Sequence, residues 1–163
     1  MSTDAAAGPR VCSVARTLEV VGEKWALLAV REVFLGNARF DGIVARTGAP
    51  RDTLTNRLRT LVAEGVLERR RYSERPPRDE YVLTAAGRDL YPVVLALLQW
   101  GDTHRAGPEG PPVVLEHGCG EVLHTATVCS ACGKVVRTEE VSRARSADHQ
   151  PTEAGQGTSR SAR

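Results

Sequence analysis

Two helical patterns, separated by a sharp break at residues 48–50, constrain the fold of this 163-residue chain more than any other feature. The first pattern begins at Asp41, a good helix N-cap, and stops at Gly48. The second runs from residue 51 to about residue 64 and repeats apolar side chains at helical spacing, at Leu54, Leu58, Leu61 and Val62. A short helix, a turn containing glycine and a longer amphipathic helix predict a helix-turn-helix.

Two more helices are predicted ahead of this pair. Residues 13–21 carry Val14, Leu18 and Val21 at positions i, i+4 and i+7, the spacing of a helix with one apolar face. Residues 24–35 are apolar on nearly every side, which is typical of a helix inside a core. Gly36 is a suitable C-cap for that second helix.

Two strands and a last helix are predicted after the helix-turn-helix. Residues 66–72 and 80–83 have the pattern of paired strands, and residues 73–79 between them contain two prolines and several charges, as a solvated wing does. Thr84 is expected to N-cap one long helix that reaches about residue 103 and is kinked at Pro92. The predicted fold class is therefore α+β, mainly α: a winged helix-turn-helix with a long terminal helix for dimerisation.

Positive charge is concentrated in the predicted helix-turn-helix and wing. Residues 51–78 contain eight arginines and four acidic residues, a local charge of +4, against +2 for the whole chain. Arginine suits bidentate contacts with phosphate and guanine, so double-stranded DNA is the expected partner. Two prolines stiffen the loop between Arg75 and Arg78, which lowers the entropy cost of docking. Successive arginines at residues 69–71 alternate in direction along a strand, so at most two of them should approach DNA.

The second helix of the pair has an outward face suited to base recognition. Asn56 can pair bidentately with adenine, and Arg59 can contact guanine or phosphate. Asp52 can accept a hydrogen bond from cytosine or simply stabilise the helix N-terminus, and Arg51 is suited to contact a phosphate. Arg57 lies nearer the core, where a backbone contact or a salt bridge is expected rather than base reading. A merely solvated face is the alternative, which the adjoining arginine-rich wing makes less favourable.

Residues 12–102 resemble the HxlR-type family, relatives of the MarR regulators. The resemblance rests on Cys12 and on GEKWALLAVREVFLG (22–36), RFDGI (39–43), TLTNRLRTLVAEGVLERR (53–70), YSERPPRDEYVLTAAGRDL (72–90) and LLQWG (97–101). It implies a dimeric winged-helix repressor or activator with recognition helices in successive major grooves. By the same resemblance, DNA contact is expected at Arg51, Thr53, Asn56, Arg59, Arg75 and Arg78. Asp79 departs from the family pattern, which has an apolar residue there, so the packing of the wing tip is expected to differ locally.

Dimerisation is also expected from the last predicted helix, whose apolar residues cover more than one face. Such surplus apolar surface usually marks an interface, and the first helix is expected to pack with it. Two half-sites in DNA are read by proteins with twofold symmetry, so we expect a homodimer. A wholly intramolecular last helix is the alternative.

Cys12 is the candidate for a redox or electrophile response. It lies just before a predicted helix N-terminus, one turn from Arg16, and both features favour a thiolate. In the HxlR-type family a cysteine at this place is a thiol switch in some members, which implies a small-molecule or thiol-reactive effector. A passive cysteine near the dimer contact is the alternative.

A cluster of metal-ligand residues follows the helical region. Cys129-x-x-Cys132-Gly has the form of a thiolate knuckle, and His117 and Cys119 form a pair upstream of it. Together the four resemble a zinc ribbon, with His124 as the alternative fourth ligand. About 30 residues cannot fold on apolar burial alone, so a structural zinc is expected as the cofactor. The alternative is a flexible tail with spare thiols.

These patterns divide the chain and limit its function. We expect a disordered N-terminus (1–10), a winged helix-turn-helix domain (11–104), a linker (105–112), a zinc-ribbon-like unit (113–141) and a disordered tail (142–163). No apolar run is long enough to span a membrane and no signal peptide is recognised, so a cytoplasmic protein with reduced thiols is expected. A sequence-specific, non-enzymatic transcriptional regulator is the leading hypothesis. The alternative is an adaptor that docks protein partners through the metal ribbon.

Overall fold

The computed structural model describes residues 12–142. It divides into two compact units, Met1–Leu123 and His124–Arg163, which are described separately below. Disorder was predicted for residues 1–10 and 142–163, and all of these except Ser142 lie outside the described residues. The predicted division of the chain at residues 105–112 stays a prediction.

Four helices open the first unit, and their bounds lie within one residue of those predicted except at the start of α3. They are α1 (Ser13–Val21), α2 (Lys24–Phe34), α3 (Phe40–Thr47) and α4 (Arg51–Ala63). Gly48 ends α3 in the left-handed region, with φ 70°, and its N–H donates to the Val44 carbonyl at 2.9 Å. Glycine adopts this conformation without steric cost, so the turn between α3 and α4 is sharp.

The predicted N-cap at Asp41 was wrong. Helix α3 begins at Phe40, and the N-cap position is held by Arg39 without a side-chain cap. Asp41 lies in the first turn of the helix, where its carboxylate accepts a hydrogen bond from Arg51 at 2.8 Å. The Asp41 carboxylate thus binds a side chain of α4 from inside α3 and is not at the N-cap position.

The core is built around α2. Ala26, Ala29 and Val30 are buried, as predicted for this helix, and they belong to one apolar cluster with Ile43 of α3 and Leu58 of α4. The further members are Val21, Val33, Ala49, Leu54, Leu61, Val66 and Leu67. This packing fixes the angle at which α4 presents its opposite face to solvent.

Glu32 is the one buried charged side chain among the described residues, and the sequence pattern did not single it out. Its carboxylate accepts from the Arg31 guanidinium at 2.6 Å and from the Asn37 amide at 3.2 Å. Buried carboxylates require such partners, so Glu32 ties the end of α2 to the loop before α3.

Two antiparallel strands form the wing, β1 (Leu67–Glu74) and β2 (Pro77–Leu83). The register pairs Leu67 with Leu83 and Arg70 with Glu80, and it shifts by a bulge between Arg71 and Ser73. The strands extend further than predicted, because cross-strand pairing continues beyond the bulge. Most of the predicted loop 73–79 is thus strand, and the tip is reduced to residues 75 and 76.

The last predicted helix is two helices. Thr84 caps the short α5 (Ala85–Arg88), and its hydroxyl accepts from the Gly87 N–H at 3.1 Å. A separate helix, α6 (Tyr91–Arg105), then begins with Pro92 in its first turn. The expected kink at Pro92 was therefore wrong, because proline is tolerated where a helix starts and no N–H is needed.

The residues after α6 form turns and isolated bridges rather than extended strands. In the first unit Glu116 bridges Val122, and in the second Val128 bridges Val135. A short 3₁₀ helix covers Thr138–Glu140. Within residues 12–142, no helix combines the length and the apolar character that a membrane span requires.

Candidate nucleic-acid interface

Helix α4 presents a polar face opposite the core. Leu54, Leu58 and Leu61 are fully buried, whereas Asn56 and Arg59 are exposed. The other predicted contact residues of this helix are Arg51, which is exposed, and Thr53, which is half-buried. The orientation predicted from helical spacing is thus confirmed.

Arg51 links the two helices of the helix-turn-helix. Its guanidinium donates to Asp41 and lies 4.8 Å from the centre of the Phe40 ring. The side chain nevertheless keeps 63% of its surface exposed. Because a guanidinium carries five N–H donors, donors remain for a phosphate after the carboxylate is bound.

Arg57 has a structural partner. Its Nη2 atom lies 3.5 Å from the Glu23 carboxylate, at the start of α2, and about two thirds of its side chain is covered. The Arg57 Nε atom is buried without a hydrogen-bond partner among the described residues. This matches the expectation of a salt bridge rather than base recognition.

The three arginines of β1 are neutralised by carboxylates of β2. Arg69 and Arg71 both donate to Asp79, Arg71 from its Nε atom at 2.7 Å, and Arg70 donates to Glu80 at 2.7 Å on the other face. The alternation predicted for these arginines is confirmed. Hydrogen bonds from Arg71, and next from Arg69, hold the pKa of the Asp79 carboxyl below its ordinary value. Where the family pattern has an apolar residue, Asp79 thus forms an ion-pair cluster with Arg69 and Arg71.

Arg59, Arg75 and Arg78 differ from these neighbours. All three are exposed, and none of their side chains forms an ion pair or hydrogen bond with another residue in the range 12–142. Arg59 lies on the outer face of α4, Arg75 lies in the turn of the wing, and Arg78 lies beside that turn at the start of β2; Arg75 and Arg78 together are called the wing tip here. Positive charge that is not compensated within the protein remains available for phosphate oxygens.

One further cation was missed from the sequence. Arg46, in the last turn of α3, is exposed and has no partner within the described part of the chain. Its position on the first helix of the pair could have been noted, because that helix crosses the DNA backbone in helix-turn-helix proteins. Arg46 lies five residues before the basic segment at residues 51–78 and is not part of it.

Residues 20–108 match the family model of the HxlR-like helix-turn-helix. The chain belongs to the HxlR-like family. The family is one of helix-turn-helix transcriptional regulators, not enzymes, and this chain is therefore a transcriptional regulator of that type. The resemblance recognised in the sequence is confirmed for the winged-helix region.

Relatives and solved structures agree with this assignment. The uncharacterized HTH-type transcriptional regulator Rv3095 of Mycobacterium tuberculosis is 47% identical over 130 residues, which cover 79% of this chain and 82% of the relative. The crystal structure of PA1607, a candidate transcription factor, superposes with a TM-score of 0.74 at 33% identity, covering 83% of this chain and 95% of the other. The redox regulator HypR in its reduced form has a TM-score of 0.54 at 36% identity, over 58% of this chain and 94% of HypR.

In this HxlR-like chain, α1 and α6 have apolar side chains that face solvent. On α1, Val14 and Leu18 expose 65% and 54% of their surface. On α6, Val93, Leu97 and Trp100 are exposed to a similar degree, and no residue of the helix is buried. Helical spacing places these three side chains on one face. Cys12 is exposed at the N-cap position of α1.

The predicted metal ligands form two pairs, each in its own unit. In the first unit, His117 Nδ1 lies 3.2 Å from Cys119 Sγ, and both residues are exposed. In the second, Cys129 accepts hydrogen bonds from the backbone N–H groups of Ala131 and Cys132, which lower the pKa of its thiol. Among residues 12–142, no cluster of three or more His, Cys, Asp and Glu side chains is gathered for a metal. The zinc ligands therefore stay a prediction.

Proposed function

We propose that this regulator acts as a homodimer on a two-half-site operator in double-stranded DNA. Helix α4 enters the major groove, and the wing tip contacts the adjoining phosphates. The observation that carries the proposal is the sorting of the arginines. The side chains of Arg59, Arg75 and Arg78 have no partner among residues 12–142, whereas the arginines of the β1 strand are neutralised.

The chemistry of each side chain fits a role in this complex. Asn56 pairs with the N6 and N7 atoms of adenine, and Arg59 pairs with the O6 and N7 atoms of guanine or with phosphate. Arg51 and Thr53, in the first turn of α4, contact phosphate near the helix N-terminus, where the helix dipole also favours an anion. Arg75 and Arg78 contact the backbone and supply affinity rather than sequence preference.

The exposed faces of α1 and α6 supply the dimer contact. Exposed apolar clusters on a single chain mark an interaction surface, and a second copy is the occupant that a two-half-site operator requires. Twofold symmetry sets the two α4 helices about one helical turn of DNA apart. Dimerisation through this interface is therefore needed for tight binding to the two half-sites of DNA.

Selection of bound genomic fragments by the purified protein, followed by sequencing and footprinting, tests the proposal. Fragments should share two related half-sites whose centres lie about 10 base pairs apart. Binding to the selected fragment should exceed binding to bulk DNA by about a thousandfold or more. Equal affinity for every fragment would refute the proposed function.

The dimer contact has its own test on α6. Leu97→Glu places a charge in the exposed apolar face and is expected to shift the protein toward monomer in sedimentation equilibrium. Thr103→Glu is the matched control, because helical spacing places Thr103 about 90° from that face. If both variants sediment as the wild type does, α6 is not the interface.

A thiol-reactive signal acting at Cys12 completes the proposal. Cys12 is exposed beside the proposed dimer contact, and HypR, a similar protein, is named a redox regulator. Peroxide oxidises the thiol and an electrophile alkylates it, and either change at the N-terminus of α1 is expected to release DNA. Cys12→Ser should abolish this response while Cys119→Ser leaves it intact. An equal response in both variants would remove Cys12 from the mechanism.

A further inference from the structure

The segment after α6 has no buried side chain among its described residues. All described residues from 113 to 142 are exposed or half-buried, including valines such as Val114, Val128 and Val141, which expose more than half of their surface. Apolar burial is the main favourable term in folding. The backbone turns of this segment therefore need stabilisation from another source.

The second unit contains a tight hairpin with two thiols at its turn. Cys129 N–H donates to the Lys134 carbonyl at 2.9 Å, and Val136 N–H donates to the Thr127 carbonyl at 2.8 Å. Gly133 closes the turn with φ 70°, and its N–H donates to the Cys129 carbonyl at 2.8 Å. A residue with a side chain would be strained at that position, so the glycine allows the chain to reverse directly after Cys132.

Cys129 and Cys132 lie at the two ends of this turn. The Gly133 N–H bond to the Cys129 carbonyl folds residues 129–132 back on themselves. A Cys-x-x-Cys turn of this kind is how structural zinc sites hold two thiolates, which lie roughly 3.8 Å apart when the metal–sulfur bonds are about 2.3 Å.

The first unit has a chelating pair of its own in a second hairpin. The ladder there joins Leu123 N–H to the Leu115 carbonyl at 2.7 Å and His117 N–H to the Glu121 carbonyl at 2.8 Å. Its turn brings His117 Nδ1 and Cys119 Sγ within 3.2 Å of each other. Imidazole nitrogen and thiolate sulfur are the donor types that accompany cysteine pairs in structural zinc sites.

We propose that Cys129 and Cys132 bind a zinc ion through their two sulfur atoms, and that this metal stabilises the segment that follows α6. Zn²⁺ replaces the two thiol protons, which pass to solvent, and no change of oxidation state is involved. Soft sulfur ligands select zinc over magnesium or calcium. Structural zinc sites have four protein ligands, and the two beyond Cys129 and Cys132 stay a prediction of the sequence. The proposed zinc site has no part in DNA binding, and it can be tested whether or not the protein binds DNA.

Metal analysis of the full chain, purified without an affinity tag under reducing conditions, is the direct test. About one zinc per chain is expected after reconstitution. Replacement by Co²⁺ should give the visible bands of tetrahedral cobalt together with a thiolate-to-cobalt charge-transfer band. Chelation should leave the helical circular dichroism signal intact, because α1–α4 have an apolar core of their own.

Matched cysteine variants locate the site. Cys132→Ser should lower zinc affinity about a hundredfold or more and weaken the charge-transfer band, whereas Cys12→Ser should leave both unchanged. Single substitutions of His117 and His124 by Ala identify which imidazole participates, since only the ligand should lower affinity to a similar extent. Less than about 0.2 zinc per chain, equal zinc binding by Cys132→Ser, or a Cys129–Cys132 disulfide under these reducing conditions would overturn the inference.

Discussion

The arginines of the β1 strand and those of the α4 face and wing tip are close in sequence but differ in their surroundings. On β1, Arg69, Arg70 and Arg71 each donate to a carboxylate of β2. On the α4 face and at the wing tip, Arg59, Arg75 and Arg78 have no such partner within the described residues. The local charge of +4 read from the sequence therefore overstates the positive charge of the strands. It also hides the difference between the neutralised arginines of β1 and the unpaired arginines at the wing tip.

This contrast teaches that composition locates a basic segment but does not identify the cations that remain free. An exposed ion pair contributes little to stability, yet it removes a positive charge from the set that can replace counterions on DNA. Four predictions follow the contrast from the strongest expected effect to the weakest.

The largest effect is expected from the wing tip. Arg75→Ala combined with Arg78→Ala removes two free cations, each worth about 1.5–3 kcal/mol if it bonds a phosphate. Affinity for specific and for non-specific DNA should fall together, roughly tenfold or more per arginine, and the salt dependence of log K should flatten by about two per protomer. Fluorescence anisotropy over a salt series measures both.

A matched control removes the same net charge elsewhere. Lys134→Ala with Arg137→Ala changes two exposed cations of the second unit. Its salt dependence should stay near that of the wild type. If the control flattens the slope as strongly as the wing variant, the effect is one of net charge and the wing tip has no special role.

Asn56→Ala tests the base-reading part of the α4 face. Loss of a bidentate contact should cost about 1–3 kcal/mol at one base pair of each half-site, while preference at the other positions persists. Measuring affinity against a set of operators with single substitutions separates these outcomes. A uniform loss at every position would show instead that Asn56 contacts the backbone.

A much smaller effect is expected from a neutralised pair on the strands. Arg70→Gln with Glu80→Gln removes both charges and leaves the net charge unchanged. DNA affinity should stay within roughly threefold, and the free energy of unfolding in urea within about 1 kcal/mol, as for exposed pairs. A tenfold loss of affinity would place Arg70 at the DNA and would contradict the contrast drawn above.

The weakest effect concerns pH. Arg71 and Arg69 hold the pKa of Asp79 below its ordinary value, so this carboxylate binds protons less readily in the folded than in the unfolded state. Its contribution to stability is present above the unfolded-state pKa of about 4 and is lost as pH falls through the lower folded-state value. Asp79→Asn should therefore flatten the acid limb of thermal stability. An NMR titration of the Asp79 carboxyl that showed an ordinary pKa would contradict this.

Local patterns in the sequence predicted much of the fold because the signals themselves are local. The leucine spacing of α4 and the glycine after α3 depend only on neighbouring residues, and the bounds of α1, α2 and α4 agreed within one residue. The errors arose where a distant residue competed. Asp41 lies inside α3 and binds Arg51 of α4, and Pro92 lies in the first turn of a new helix because α5 ends before it. The strand length was underestimated because pairing across the bulge is not visible in either strand alone.

The sequence by itself determined the helix-turn-helix, the polar face of α4 and the membership of the HxlR-like family, since periodicity and local motifs encode them. Only the tertiary structure decided which arginines are free, because an ion pair depends on which residues the strand register places opposite each other. Helical spacing already placed Arg59 outward and Arg57 nearer the core, and the packing of α4 against α2 decided that Glu23 is the partner of Arg57. The identity of a partner on another helix depends on that packing, which no local pattern specifies.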